Sequence, residues 1–316
     1  MLTKPIREQS LLDGLARLFG KSGQSATFVE HEPVLIPQIP CQPLRVLLAE
    51  DHKINQRLAV MLLHQASHDV DVAENGEQAV AAVLNSDYDI VLMDAQMPVL
   101  DGVEATKRIR ALPPPKSIIP IVALTAHAMA GARDEYLAAG MDDYLSKPLE
   151  PAALFAALAR LANPSATASS SQKTPPADTE LHGAEKEADV DELLESGIAI
   201  LDPVRVATLE RVLPTVELIE FVRMFLESLG GLASRIHPLL TGLEFEELCR
   251  EAHALAGTAG NVGALQVSHW ARELEHACKK RDTAAMDRAS KAVGQALPQT
   301  KVELLRWLDE HRIAAE

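Results

Sequence analysis

From Leu44 onward, short apolar runs alternate with stretches of helical periodicity. Leu44-Arg45-Val46-Leu47-Leu48-Ala49 has the length and apolar density of a strand buried in a parallel sheet. Ile54, Leu58, Met61 and Leu62 then recur at helical spacing. Residues 69–73 read as a second strand, Asn75-Gly76 as a turn and residues 77–85 as a helix. Asp89-Ile90-Val91-Leu92-Met93 gives a third strand, and the helix expected over 103–111 stops at Pro113-Pro114-Pro115. Residues 119–124 form the fourth strand, and 128–139 a helix ended by Gly140. A strand around Tyr144-Leu145 and a helix over 152–161 close the unit. The alternation predicts an α/β, doubly wound, five-stranded parallel sheet with helices on both faces. In such sheets the binding crevice lies at the carboxyl ends of the strands.

The pattern breaks at residue 163. Up to residue 197 the chain is first rich in Pro, Ser, Ala and Thr and then acidic, with too little apolar surface to offset its ordering entropy, so it reads as a flexible acidic linker. Residues 198–316 carry no strand signal. Helical periodicity runs over 204–212, 218–229, one long stretch from 245 to 280, and 284–312. Asp202-Pro203 and Pro214-Thr215 look like helix starts, each a capping residue beside a proline. These features predict an all-α helical bundle with a four-helix core.

Composition narrows the function classes. The 316 residues suit about two domains. At 47% hydrophobic the chain can bury sizeable cores, and at 3% aromatic those cores must be aliphatic. A formal net charge of −15 argues against binding nucleic acid, which needs a basic surface. No run reaches the ~18 apolar residues of a membrane span, and no signal peptide opens the chain, so a cytoplasmic protein is expected. Cys41, Cys249 and Cys278 lack metal-site spacing and read as free thiols of a reducing compartment.

The chemically informative residues of the first unit stand at its strand ends: Glu50 and Asp51, Asp94, Thr125 and Lys147. Convergent strand ends bring three carboxylates, a hydroxyl and an ammonium into one crevice. Crowded acids repel unless a cation sits among them, and an all-oxygen set suits Mg²⁺ completed by a phosphoryl oxygen. Lysine and hydroxyl would then neutralise and orient that group.

Leu48-Ala49-Glu50-Asp51-His52-Lys53-Ile54-Asn55, Met93-Asp94-Ala95-Gln96-Met97-Pro98-Val99-Leu100-Asp101-Gly102, Ala123-Leu124-Thr125-Ala126 and Leu145-Ser146-Lys147-Pro148 resemble the receiver domains of response regulators over residues 43–162. The resemblance implies a flavodoxin-like fold in which Asp94 accepts a phosphoryl group from phosphohistidine. Glu50, Asp51, Asp94 and the carbonyl of Gln96 would bind Mg²⁺. Thr125 and Lys147 would hold phosphoryl oxygens, and the Lys147-Pro148 bond would be cis. Tyr144 and Thr125 would form the switch. Ala126 would leave the site accessible, and Gln96 and His127 occupy positions that tune hydrolysis.

In the second unit, Leu248, Ala252, Leu255, Ala259 and Val262 form a core stripe, and His253 lies one residue off it. Its i+4 and i+7 neighbours are Gly257 and Gly260. Mid-helix glycines cost about 1 kcal/mol each, so two beside a histidine suggest a flattened face for a closely approaching protein. Packing notches between helices are the other reading. Zinc binding by His253, His269 and His276 is not favoured, since no ligand cluster completes a tetrahedron. Residues 201–313 resemble the histidine phosphotransfer domain, which implies that His253 exchanges a phosphoryl group with receiver aspartates. Gln266 stands where that family often places a polar residue near the histidine. The family commonly has a basic residue three positions past the histidine, and here Ala256 stands there; Arg250 or a partner could take over its role.

Residues 2–6 and 11–18 align without a gap with 145–149 and 154–161, offset by 143 residues. Residues 1–20 therefore read as the remnant of a preceding receiver-like domain, 21–42 as a linker, and the chain as the C-terminal part of a hybrid sensor histidine kinase. Expected partners are a histidine kinase and other receiver or phosphotransfer proteins. With no ATP-binding domain, the chain is not expected to phosphorylate itself from ATP. The competing reading is a regulatory interaction module in which His253 is idle.

Overall fold

The computed structural model describes residues 42–125, 132–162, 198–242 and 244–315. Residues 1–41, with the expected remnant and Cys41, lie outside the described residues, as do Ala126, His127 and the connecting segment 163–197.

The first half is built of β1 (Arg45–Ala49), α1 (Lys53–Gln65), β2 (Asp69–Ala73), α2 (Gly76–Asn85), β3 (Ile90–Asp94), α3 (Gly102–Arg110), a 3-10 turn at Lys116–Ile118, β4 (Ile121–Thr125), α4 (Ala132–Ala138), β5 (Asp143–Ser146) and α5 (Pro151–Ala162). All strand pairs are parallel, in the order β2-β1-β3-β4-β5. Strands β3 and β4 are buried along their whole length, which is why they read as continuous apolar runs. Alternate side chains serve two cores. Val46, Leu48, Leu92 and Leu124 face α1 and α5, while Leu47, Val91, Ile121 and Ala123 face α2 and α3.

Residues 203–315 form α6 (Pro203–Val212), α7 (Thr215–Gly242), α8 (Phe245–Val262), α9 (Leu265–Lys280) and α10 (Thr283–Ala315). Helices α7 to α10 make the bundle, and α6 packs on α7. As expected, Asp202 caps α6: its Oδ1 accepts from the amides of Val204 at 2.9 Å and Arg205 at 3.1 Å. Helix α1 packs on the sheet with one side and on α7 and α8 with the other, so a single apolar cluster runs from the sheet into the bundle.

Several boundaries differ from the sequence pattern. Asn75 is not in a turn but caps α2, its Oδ1 accepting from the Gln78 amide at 2.9 Å. Asp94 and Thr125 are the last residues of their strands rather than the first beyond them, and Ile119 lies outside β4. The stretch 245–280 is two helices, parted where Gly263 takes a left-handed φ of +87° that closes α8. Helix α7 continues through Gly230 and Gly231 to Gly242, well past the expected end at 229, because packing on the bundle outweighs weak local propensity.

Candidate functional site

Five of the sequence-predicted residues meet at the carboxyl end of the sheet. Glu50, Asp94, Thr125 and Lys147 are buried, while Asp51 is exposed at the rim. Carboxylate oxygens of Glu50, Asp51 and Asp94 lie within 4.8 Å of one another. The Lys147 ammonium donates to Glu50 Oε2 at 2.7 Å and to Asp94 Oδ2 at 2.6 Å. The Lys147-Pro148 bond is cis. The Gln96 amide donates to Asp94 Oδ1 at 3.2 Å, and Gln96 lines the same cavity.

The electrostatics of this cluster are those of an acidic site two positive charges short, three carboxylates facing one ammonium. Burial pushes Asp94 above the usual carboxylate range, and the facing Lys147 offsets this only in part. Burial also pushes Glu50 up, but it ends low, because Lys147 and an Asn55 hydrogen bond outweigh that effect. Asp51 is raised by desolvation and by the Glu50 charge. Three hard oxygen donors around one ammonium fit a divalent cation such as Mg²⁺.

Helix α8 brings His253 to the same place. A cavity of about 430 Å³ is lined by Asp51, Asp94 and Lys147 from the sheet end, and by Arg235, Arg250 and His253 from the bundle. His253 Nδ1 pairs with Glu275 Oε1 at 3.1 Å, and Glu275 also accepts from Lys279 at 2.7 Å. Burial raises the Glu275 carboxyl, but these two partners outweigh it and hold it at about 2. An ionised carboxylate can only accept, so Nδ1 carries a proton, and in the neutral ring the lone pair is on Nε2.

One expectation is corrected. The polar residue bonded to His253 is Glu275, whereas Gln266 Nε2 donates to the Ile198 carbonyl at 2.8 Å. The Thr125 and Tyr136 hydroxyls lie 2.9 Å apart, and Tyr144 packs half-buried among the α2/α3-side residues. Glu275 had a legible signal. It occupies a stripe with Ser268, Ala271 and Cys278, all buried, and a charge in such a stripe needs a partner. Ala256 is buried in the core, so the basic side chains near His253 come from Arg235 and Arg250.

The Gly257 face meets the sheet domain. A Cβ on Gly257 would lie 3.8 Å from Asn55 Nδ2 and from Lys147 Cδ, and one on Gly260 would lie 3.4 Å from Pro148 Cβ. The flattened surface next to His253 thus receives the end of β5 and the start of α1.

Comparison with known families decides between the readings that this geometry allows. The response regulator receiver domain matches residues 46–159, and the Hpt domain matches residues 220–310. The chain is a receiver domain followed by an Hpt domain. Its relatives are hybrid histidine kinases. The signal transduction histidine-protein kinase BarA of Escherichia coli (strain K12) is 29% identical over 274 residues, covering 87% of this chain and 27% of BarA. The hybrid signal transduction histidine kinase I of Dictyostelium discoideum is 43% identical over 119 residues, 36% of this chain and 7% of that protein. The chain thus spans less than a third of either relative. Among solved structures, the receiver domain of sensor histidine kinase PA1611 from Pseudomonas aeruginosa PAO1, with magnesium coordinated in its active-site cleft, is 40% identical. That likeness covers 39% of this chain and 99% of that one, with a TM-score of 0.37. A receiver joined to an Hpt domain belongs to two-component phosphorelay signalling. Among the described residues, no helix is long and apolar enough to cross a membrane.

Proposed function

We propose that the receiver accepts a phosphoryl group on Asp94 and that Asp94 exchanges it with His253. The observation that carries this reading is that both residues line one cavity, with Lys147, Arg235 and Arg250 around them. In the first step an Asp94 carboxylate oxygen attacks the phosphorus of a donor phosphohistidine. The P–N bond breaks and its electron pair returns to the donor ring. In the second step His253 Nε2 attacks the phosphorus of the acyl phosphate. The bond to the Asp94 oxygen breaks, restoring the carboxylate. No proton need move, because Nδ1 already carries its hydrogen toward Glu275. The charge that develops on the ring is balanced by that carboxylate.

Glu50, Asp51, Asp94 and the Gln96 carbonyl would hold Mg²⁺, which when bound supplies positive charge to the phosphoryl oxygens. Lys147 neutralises Asp94 and is placed to take a phosphoryl oxygen, and Thr125 supplies a hydroxyl at the end of β4. The domain division that goes with this reading is a receiver over 43–162, a connecting segment over 163–197 and an Hpt domain over 198–316. Histidine kinases and other receiver or Hpt proteins would be the outside partners. The free thiols of Cys249 and Cys278 support a reducing, cytoplasmic setting.

The test is labelling of the full chain with acetyl phosphate and Mg²⁺. The wild type is expected to carry both an acyl phosphate and a phosphohistidine. Asp94→Asn is expected to carry neither, and His253→Gln the acyl phosphate alone. Stable labelling of Asp94→Asn would sink the assignment, and a wild type that never labels His253 would favour the idle-histidine interaction module.

A further inference from the structure

The loop that leaves the receiver pocket after Lys147 is held by the bundle at four polar groups. Asn261 Oδ1 accepts from the Leu149 amide at 2.9 Å, and Arg205 Nη2 donates to the Leu149 carbonyl at 3.0 Å. Both backbone groups of one receiver residue are therefore read by two Hpt side chains. Arg205 Nη1 reaches Glu150 Oε1 at 3.1 Å, and Arg272 Nη2 reaches the Lys147 carbonyl at 3.4 Å. The other end of Asn261 donates to Asn55 Oδ1 at 2.9 Å, and Asn55 in turn donates to Glu50 Oε1 at 2.9 Å.

Burial indicates what these side chains are for. Arg205 is 4% exposed and Asn261 2%. A buried guanidinium is costly unless it is paired. Among the described residues, Arg205 bonds within the bundle only to the Asn261 carbonyl, at 3.2 Å from Nε, and its one ion pair is with Glu150 of the receiver. The nearby Asp202 is occupied in capping α6. Without the receiver, both terminal nitrogens of Arg205 would lose their partners.

Resting on the relay reading, we propose that Arg205 and Asn261 form a recognition clamp by which the Hpt domain selects the receiver of its own chain. Contacts to the Leu149 backbone fit the loop of many receivers. The Arg205–Glu150 pair adds selectivity, favouring a receiver with an acidic residue three positions after the pocket lysine. Asn261 joins this loop to Asn55 and Glu50, so docking also engages the residues around Asp94. Because both domains lie on one chain, the encounter is intramolecular and its rate does not depend on protein concentration.

The experiment uses the full chain, phosphorylated on Asp94 with acetyl phosphate and Mg²⁺. Phosphohistidine formation per phosphorylated Asp94 is followed by rapid quench across a range of protein concentrations. The wild-type rate is expected to be independent of concentration. Arg205→Glu and Glu150→Arg are each expected to slow it about tenfold, equivalent to ~1.4 kcal/mol. The charge-swapped double variant is expected to recover most of the rate, which a merely misfolded bundle would not. A rate proportional to concentration, or charge reversals without effect or rescue, overturns the clamp while leaving the relay reading intact. If Asp94 or His253 is never labelled, the relay reading fails instead. Amide exchange at Leu149 then decides on the clamp: protection in the wild type lost in Arg205→Glu supports it, and equal exchange in both overturns it.

Discussion

In the proposed transfer, Glu275 makes a helical histidine a directed nucleophile. With Nδ1 committed at 3.1 Å, Nε2 is the ring nitrogen left for phosphorus. The same pair makes a pH prediction. Glu275 is held at about 2 against an ordinary 4.5, so its folded-state pKa is the lower one. Its stabilisation is fully present above the ordinary value and is lost as pH falls from there toward 2. Urea unfolding of wild type and Glu275→Gln is expected to show a gap that is constant from pH 7 to about 5 and narrows below, in the range where a carboxyl ordinarily titrates. A gap unchanged at pH 3 would contradict the assignment. Gly102 gives a second test. A Cβ there would lie 2.0 Å from the Asp94 carbonyl oxygen, so Gly102→Ala must shift the backbone that carries the proposed phosphoacceptor. Roughly 1–3 kcal/mol of stability is expected to be lost, as for other overpacked sites, together with Asp94 labelling. Glu275 could be foreseen as a charge in an apolar stripe; its partner could not, because His253 lies 22 residues earlier, on another helix.

At the scale of elements, helix α8 has a core side and a docking side. The core side was legible: Leu248, Ala252, Leu255, Ala259 and Val262 are all buried, at the spacing that marks them in the sequence. The docking side was legible only as two glycines that weaken the helix. Gly257 separates propensity from contact. An alanine there meets Asn55 and Lys147 at an ordinary 3.8 Å, so Gly257→Ala is expected to stabilise the helix by up to about 1 kcal/mol and to leave docking possible. A leucine would run into Lys147. Gly257→Leu is therefore expected to keep the helical circular dichroism of the bundle while phosphohistidine formation from phospho-Asp94 collapses. Equal transfer in both variants would show that this face is not the docking face. The break at Gly263 was not legible, because apolar periodicity continues on both sides of it and only its left-handed φ parts α8 from α9.

For the whole molecule, the expected consequence of the acidic cluster is metal dependence. Chelation by EDTA is expected to abolish Asp94 labelling by acetyl phosphate without lowering the helix content, and excess Mg²⁺ to restore it. Labelling that persists in EDTA would remove the cation from the scheme. The sequence by itself determined the two domains, the parallel sheet and the convergence of Glu50, Asp51, Asp94, Thr125 and Lys147. In a parallel sheet every strand delivers its carboxyl end to the same edge, so local pattern is enough to place the pocket. It also marked His253 through its glycine neighbours. Only the tertiary structure decided that His253 and Asp94 line one cavity, that Glu275 holds the histidine ring, and that Arg205 and Asn261 grip the loop after Lys147. Those contacts join side chains as far apart as Asn55 and Asn261, 206 residues along the chain. Hydrogen bonds and ion pairs between separate elements leave no periodic trace in sequence. They exist only once both cores have formed and set the two faces against each other.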